Sequence, residues 1–246
     1  MIEIHPVEGL PEIEAGAPLG VMIATLAELR DLDVLVVSQK IVSKAEGRVV
    51  RLSSVAPSAR AEELAGELGK NPRLVELILA ESREVLRAEH GVLIVETKSG
   101  LICANAGIDS SNVPDDGAVC LLPVDPDASA RRLRAEITAA AGVRPAVVIA
   151  DSFGRPWRLG QAEFAIGCAG LRPLDDWRGA VDREGRKLGA TVIAIADEVA
   201  AAADLARDKA SGTPAVIVSG AGRHVTREDG PGALALRRAE ALDLFR

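Results

Sequence analysis

Short apolar runs rich in β-branched residues alternate along this chain with longer stretches that repeat apolar residues at helical spacing. The short runs match buried or half-buried strands, and the longer stretches match amphipathic helices. The predicted strands cover residues 2–7, 33–38, 47–52, 91–96, 118–122, 145–150, 190–196 and 214–219. The predicted helices cover residues 18–30, 58–68, 72–87, 126–141, 197–209 and 233–242. Because the two kinds do not alternate regularly enough for a doubly wound sheet, the pattern predicts an α+β fold with mixed β-sheets.

The composition narrows the class of protein. Hydrophobic residues make up 48% of the 246 residues, which is enough for the core of one large domain or two small lobes. The net charge of −7 does not provide the diffuse positive field that general nucleic-acid binding requires. The N-terminus lacks the pattern of a signal peptide, and no apolar run reaches the length of a membrane span. We therefore expect neither a nucleic-acid partner nor a membrane partner.

Cysteine and histidine are too scattered for a zinc site or a disulfide framework. The cysteines are Cys103, Cys120 and Cys168, and the histidines are His5, His90 and His224. Each cysteine lies in an apolar or small-residue run, and none forms a C-x-x-C pair. We therefore expect the thiols to be buried and the protein to act in the reducing cytoplasm. We expect the histidines to be structural or surface residues.

Two loop-like segments, NAGIDSSNVP and DSFGRPWRLGQAEFAIGCAG, each follow an apolar strand and are dense in specialised residues. Asp109 and Asn112 in the first, with Asp151 and Ser152 in the second, offer hard oxygen ligands. Such donors suit Mg²⁺ or Mn²⁺, which binds one or two carboxylates together with phosphate oxygens. The alternative is that each aspartate makes a local turn or caps a helix.

The second segment also contains two arginines that flank a tryptophan. Arg155 and Arg158 lie on either side of Trp157, and Gly154 and Gly160 bracket the group. Guanidinium groups bind carboxylates and phosphates through two parallel hydrogen bonds, so this is the strongest candidate for an anion pocket in an acidic protein. The alternative is a surface arginine pair beside a tryptophan that contributes only packing.

Three weaker features complete the candidates. Lys44 follows the strand at residues 33–38 and could reach a phosphate, or it could be an exposed loop lysine. The early loop GLPEI could present backbone N–H groups to a nucleotide. Asp197 and Glu198 at a helix start offset the helix dipole without any further function. The sequence contains no P-loop, G-x-G-x-x-G or G-x-S-x-G pattern.

Taken in order, several motifs resemble the family of coenzyme F420-0:L-glutamate ligases. They are VEGLP, DVLVVSQKIVSKAEGR, NAGIDSSNVP, LLPVDPDASA, DSFGRPWRLGQAEFAIG, DREGRKLGAT, ADEVAAAADL and GTPAVIVSG. The ordered set covers nearly the whole chain. The resemblance implies one ligase domain over residues 1–246, with two intertwined lobes and mixed sheets. It also implies that the nitroreductase-like flavin domain of some bacterial relatives is absent.

The resemblance also implies the reaction. GTP phosphorylates the terminal carboxylate of the deazaflavin F420-0, and the amine of L-glutamate attacks the acyl phosphate. Further rounds add γ-linked glutamates in many members. Mg²⁺ or Mn²⁺ is required, K⁺ often helps, and the enzyme is a homodimer. Two alternatives from other classes are a metal-dependent hydrolase of a phosphorylated or amide substrate and a catalytically silent nucleotide-binding subunit.

The family's functional positions fall on particular residues here. The family's binding positions for divalent metals correspond to Asp109, Asp151 and Ser152. The contacts to GTP fall on Leu10, Pro11, Glu12, Ile13, Gln39, Lys44, Asn112, Lys209, Ala210, Ser211, Gly212 and Thr213. We assign to Arg155 and Arg158 the binding of the carboxylates of the acceptor and of glutamate.

This chain departs from the family at three of these positions. Gln39 stands where relatives usually have Ser or Thr, and Ser152 where Thr is commoner. Near the position of Lys209, some archaeal members have a glutamate that completes a second metal site.

Overall fold

The computed structural model describes residues 1–111, 113, 117–207 and 212–244. The helices are α1 (Leu19–Leu26), α2 (Gln39–Ala45), α3 (Ala59–Leu68), α4 (Pro72–Glu81), α5 (Pro126–Ala141) and α6 (Ile195–Asp204). The strands are β1 (Glu3–Pro6), β2 (Val34–Ser38), β3 (Val49–Arg51), β4 (Ser82–Glu89), β5 (Val92–Thr97), β6 (Ile102–Ala104), β7 (Ala118–Cys120), β8 (Ala146–Arg155), β9 (Arg158–Ala169), β10 (Asp175–Asp176), β11 (Val192–Ile193) and β12 (Ala215–Ser219). Within the described ranges no helix has the length and apolar character needed to cross a membrane.

The largest sheet has five strands in the order β1-β12-β2-β8-β9. Strands β2 and β8 run parallel, and the other neighbours run antiparallel. Alternate residues of β8 enter two different cores: Val147 and Ile149 pack with α1 and α5, whereas Val148 and Ala150 pack with α6. Both faces are therefore covered, which explains why β2 and the first half of β8 read as continuous apolar runs.

Residues between α2 and α5 build a second sheet and a third core. Strands β4, β5 and β6 form an antiparallel sheet, and β3 pairs separately with β7. Helices α3 and α4 pack on this sheet around Leu64, Val75 and Leu93. The side chains of Ser58 and Asn71 cap the two helices by accepting backbone N–H hydrogen bonds. The predicted α+β class with mixed sheets is confirmed.

The hairpin of β8 and β9 corrects the prediction of a loop at residues 151–170. Past Ala150, β9 is the one strand in the described part of the chain that pairs with β8. The ladder continues through Gly154↔Gln161 to Arg155↔Arg158, so a two-stranded ribbon extends beyond the sheet. The ribbon turns at Trp157, which has a φ of 58°. Its glycines and polar residues resemble loop composition, although every residue belongs to a paired strand or its turn.

The structure also differs from the sequence prediction in two helices and in two elements that were not predicted. The predicted helix at residues 72–87 ends at Glu81, because residues 82–89 pair with β5 as strand β4. The predicted helix at residues 233–242 is two short 3-10 turns. Helix α2 and strand β6 were not predicted. For residues 82–89, pairing with β5 overrides the local helical pattern.

Candidate active site

Strands β2 and β8 run parallel, and their pairing ends where Ser38 lies opposite Ala150. After Ser38 the chain enters α2, and after Ala150 strand β8 continues with Asp151. Asp109 approaches the same edge through an isolated β-bridge with Cys120, which has backbone N···O distances of 2.8 and 3.1 Å. Carboxyl ends of parallel strands are a common place for ligand sites in α/β sheets.

Asp109 is held by a lysine that the sequence analysis did not single out. The Nζ of Lys40, in the first turn of α2, donates to Oδ2 of Asp109 at 2.8 Å. The N–H and hydroxyl of Ser111 donate to the two carboxylate oxygens, each at 2.7 Å. Burial would raise the pKa of Asp109, but these donors and the lysine charge outweigh it and lower that pKa. Asp109 is therefore a carboxylate, and it also makes the local turn that the alternative interpretation proposed.

Asp151 has the opposite environment. Burial raises its pKa to about 7, and the charges of Glu163 and Asp109 add to this effect. The N–H of Ser152 and the charge of Lys40 offset only part of the increase. The neighbouring thiol of Cys103 is buried, and its pKa is raised to about 12, first by burial and then by Asp151. The raised pKa of Asp151 therefore reflects burial first and the two neighbouring carboxylates second.

The two aspartates fit a hard divalent cation. Burial and, to a smaller extent, the charge of Asp109 raise the pKa of Asp151, and a bound cation would offset both effects. The described residues contain no group of three or more His, Cys, Asp or Glu side chains placed to hold an ion. Two carboxylates that leave the other positions to water and phosphate are the usual protein contribution to Mg²⁺ binding.

Ser152 points to the other face of β8. Successive residues of a strand alternate between faces, so Asp151 shares a face with α2 and Ser152 shares a face with α6. The hydroxyl of Ser152 donates to Oε1 of Glu163 at 2.5 Å, and Nη2 of Arg207 donates to Oε2 at 2.8 Å. The metal role of Ser152 stays a prediction.

The early loop and α2 lie against each other. The Nζ of Lys44 forms an ion pair with Glu12, and the lysine side chain is only 7% exposed. The interpretation of Lys44 as an exposed loop lysine is therefore wrong, because it lies in a helix and is buried. Gln39 is also buried and accepts a hydrogen bond from Ser43. Ile13 belongs to the core, so that residue can offer a ligand only its backbone.

The remaining predicted GTP contacts divide into described and undescribed positions. Asn112, Lys209, Ala210 and Ser211 lie outside the described residues. Leu10 is partly buried against the core, whereas Pro11 is exposed. Gly212 has a φ of 67°, and Thr213 is half-buried shortly before β12.

The structure does not bring the two arginines next to the aspartates. Arg155 is four residues beyond Asp151 along an extended strand, about 13 Å away. Its Nη2 donates to the carbonyl of Leu159 at 2.9 Å, and its buried Nε has no partner among the described residues. Arg158 is exposed at the end of the ribbon. Their role with carboxylates stays a prediction, and it requires the substrate to extend along the ribbon.

The other candidates have structural roles. Oδ1 of Asp197, in the first turn of α6, accepts from the N–H of Ala165 at 2.9 Å. All three cysteines are buried and free, as expected. His224 is buried, whereas His5 and His90 are exposed.

Known proteins match this chain over most or all of its length. The family model for F420-0:Gamma-glutamyl ligase matches residues 9–220. A coenzyme F420:L-glutamate ligase from Methanothermobacter thermautotrophicus is 44% identical, and the match covers 100% of this chain and 99% of that protein. The enzyme of that name from Archaeoglobus fulgidus is 46% identical over 89% of this chain and 88% of its own. The one from Methanopyrus kandleri is 42% identical, with 100% and 98% covered. The chain therefore belongs to the F420-0:gamma-glutamyl ligase family.

Proposed function

We propose that this protein joins L-glutamate to coenzyme F420-0 through a γ-glutamyl amide bond and uses GTP to activate the acceptor. The observation that carries the proposal is the pair of aspartates at the end of the parallel strands. Asp109 is kept ionised by the donors around it, and Asp151 is a buried carboxyl group near Asp109 and Glu163. This arrangement suits a site that binds a cation and a nucleotide polyphosphate together.

The reaction has two steps. An oxygen of the terminal carboxylate of F420-0 attacks the γ-phosphorus of GTP, GDP leaves, and an acyl phosphate forms. The amine of L-glutamate then attacks the acyl carbon, loses a proton, and inorganic phosphate leaves with the electrons of the broken C–O bond. The product is an amide, and repetition of both steps would lengthen the glutamate chain.

Several residues of this chain have roles in these steps. Asp109 and Asp151 would hold Mg²⁺ or Mn²⁺, which supplies positive charge to the phosphates when bound. Lys40, at 2.8 Å from Asp109, keeps a second positive charge at the same edge. Lys44, fixed by Glu12, adds a buried cation on α2 and orients the early loop. A K⁺ ion is a further proposed cofactor.

The β8–β9 ribbon supports two further parts of the proposal. Arg155 and Arg158 are proposed to hold carboxylates of the acceptor or of glutamate, because a guanidinium matches a carboxylate in two-pronged geometry. Trp157 is 84% exposed and Leu159 is 99% exposed at the end of this ribbon. Large apolar side chains on a projecting element favour a protein contact, which agrees with a homodimer. We also propose that the protein acts in the cytoplasm.

Mass spectrometry of the deazaflavin tests this function. We expect F420-0 incubated with GTP, Mn²⁺ and L-glutamate to gain glutamyl units, with one GDP formed for each unit. Asp109→Asn should reduce turnover at least about 100-fold without unfolding the protein, because it removes a charged ligand. Asp182→Asn is the matched control, since Asp182 only closes an exposed turn with Arg186.

The same assay separates the alternatives. Glutamylation that proceeds without a nucleoside triphosphate contradicts GTP dependence. Hydrolysis of a phosphate or amide substrate without amide formation favours the metal-dependent hydrolase. Nucleotide binding without either reaction favours a silent subunit.

A further inference from the structure

One ammonium group holds the turn that contains Asp109. The Nζ of Lys40 donates to Oδ2 of Asp109 at 2.8 Å, and it also donates to the carbonyl oxygen of Ser111 at 2.9 Å and to the hydroxyl of Ser111 at 2.8 Å. A lysine ammonium has three N–H donors, so these contacts use all of them. While this arrangement lasts, Lys40 has no donor left for a ligand.

The same contacts occupy one oxygen of the Asp109 carboxylate. Oδ2 accepts from Lys40 and, at 2.7 Å, from the hydroxyl of Ser111. A carboxylate oxygen has about two lone-pair sites, so Oδ2 is fully used. Among the described residues, Oδ1 accepts only from the N–H of Ser111, at 2.7 Å, which leaves it one site. A cation that reaches Asp109 in this form can therefore contact only Oδ1.

The contact between Lys40 and Asp109 can open while the aspartate stays in place. The side chain of Lys40 is 16% exposed and that of Asp109 is 44% exposed. Ion pairs that water can reach contribute little to stability, so breaking this one costs little. The backbone of Asp109 is held separately, through its bridge with Cys120.

We propose that Lys40 is a positioning residue that occupies Oδ2 of Asp109 in the free protein and must release it before both carboxylate oxygens can serve a divalent cation. The inference rests on the proposed function of this sheet edge. It goes beyond that function because it makes Lys40 a competitor of the metal as well as a charge near the phosphates. Release also frees N–H donors of the ammonium, which a phosphate oxygen could then accept.

Lys44 provides the comparison for charge without contact. It lies one turn beyond Lys40 on α2, and it pairs with the early loop. The charges of both lysines oppose the increase that burial causes in the pKa of the Cys120 thiol. Because Cys120 forms the bridge with Asp109, both charges lie near the aspartate. Of the two lysines, Lys40 is the one that contacts the carboxylate.

The test measures Mn²⁺ affinity by electron paramagnetic resonance with the metal alone, without nucleotide or deazaflavin. Lys40→Met removes the charge and all three donors and keeps a long side chain. This variant should bind Mn²⁺ about 10-fold more tightly than the wild type, because a charge-assisted hydrogen bond to Oδ2 no longer has to be broken. Lys40→Arg can still donate to Oδ2, so it should bind Mn²⁺ as the wild type does.

Lys44→Met is the matched control. It removes the same charge from the same helix without freeing Asp109, so its Mn²⁺ affinity should stay near that of the wild type. Unchanged or weaker Mn²⁺ binding in Lys40→Met overturns the proposal, and so does an equal gain in Lys44→Met. A purely structural role for Lys40 predicts weaker binding, because the turn at Asp109 would loosen.

A measurement on the wild type covers the case in which Lys40→Met does not fold. Ammonium protons that are held in hydrogen bonds exchange slowly with water, so Lys40 should give a resolved nitrogen-15 NMR signal that is missing from Lys40→Arg. Adding Mg²⁺ should shift this signal or broaden it away, because the ammonium leaves Oδ2. A signal that is unchanged at saturating Mg²⁺ contradicts the proposal.

The outcomes also separate this inference from the proposed function. If the wild type ligates glutamate but Lys40→Met shows no gain in Mn²⁺ affinity, the inference fails and the proposed function stands. If the gain appears but the wild type does not ligate glutamate, the proposed function fails and the inference stands. Absence of Mn²⁺ binding in both the wild type and Lys40→Met overturns the inference.

Discussion

Replacing Asp151 by asparagine should make the free protein more stable at alkaline pH while it removes function. The carboxylate of Asp151 is half-buried among negative charges, and its pKa is raised to about 7 from an ordinary value of 3.8. An acid whose pKa is higher in the folded state binds its proton more tightly when folded. The free energy of unfolding therefore falls as the pH rises from about 4 to about 7, and the loss is complete above that range.

The size of the effect follows from the two pKa values. One pH unit corresponds to about 1.4 kcal/mol, so the full difference is about 4 kcal/mol. Residual exposure to water reduces it, and we expect roughly 2–4 kcal/mol at pH 8. Asparagine resembles the protonated acid and avoids this cost. For a chain of this length such a gain corresponds to a rise of about 5–10 °C in melting temperature.

Calorimetry of both proteins without metal, at pH 4 and pH 8, tests the reasoning. The variant should exceed the wild type at pH 8 and match it at pH 4. Mn²⁺ at pH 8 should raise the melting temperature of the wild type alone, because the variant lacks a charged ligand. A variant that is less stable than the wild type at pH 8, or equally shifted at both pH values, would falsify the account of the Asp151 environment.

Three further predictions concern the ribbon, the packing of the sheet and helix α3. Arg155→Lys and Arg158→Lys should raise KM for glutamate or the deazaflavin by roughly 10- to 150-fold, because each loses a charge-assisted pair; calorimetry should show GDP affinity nearly unchanged, and a collapse of GDP binding would place them in the nucleotide site. Gly167→Ala should destabilise the protein by about 3 kcal/mol or more, since its new methyl group would overlap the backbone of Pro126. Gly66→Ala, in open space on helix α3, should instead stabilise it by up to about 1 kcal/mol in denaturant unfolding.

The regular parts of the fold were predictable because their signals are local. Ser58, Asn71 and Asp125 each precede a helix that they cap, and glycines in left-handed conformation end α3 and α5. The apolar runs of β2 and the first half of β8 likewise match buried strands. Strands β4 and β9 escaped prediction because their residues become strands through partners that the local sequence does not reveal.

The site was partly predictable for the same reason. Asp151 follows a predicted strand, and Asp109 lies in a segment dense in polar residues, so hard-ligand chemistry identified both before their environment was known. Glu163 lay in a segment taken for a loop, where side-chain alternation carries no meaning. Once that segment is a strand opposite β8, its pairing with Ser152 follows from the register. Lys40 was adjacent to residues already quoted, but nothing in the sequence indicated which of two lysines would reach Asp109.

Strand β8 separates two electrostatic environments across the thickness of one backbone. On the α2 face, Lys40 donates to Asp109 at 2.8 Å, and its charge only partly offsets the effects that raise the pKa of Asp151. On the α6 face, Arg207 already neutralises Glu163, and Ser152 completes the hydrogen bonding of that carboxylate. A divalent ion near the α6 face would compete with a guanidinium that is fixed by three elements. On the α2 face the fixed cation, Lys40, donates to Asp109 and Ser111, and the proposed function places metal and phosphate beside Asp151 on this face.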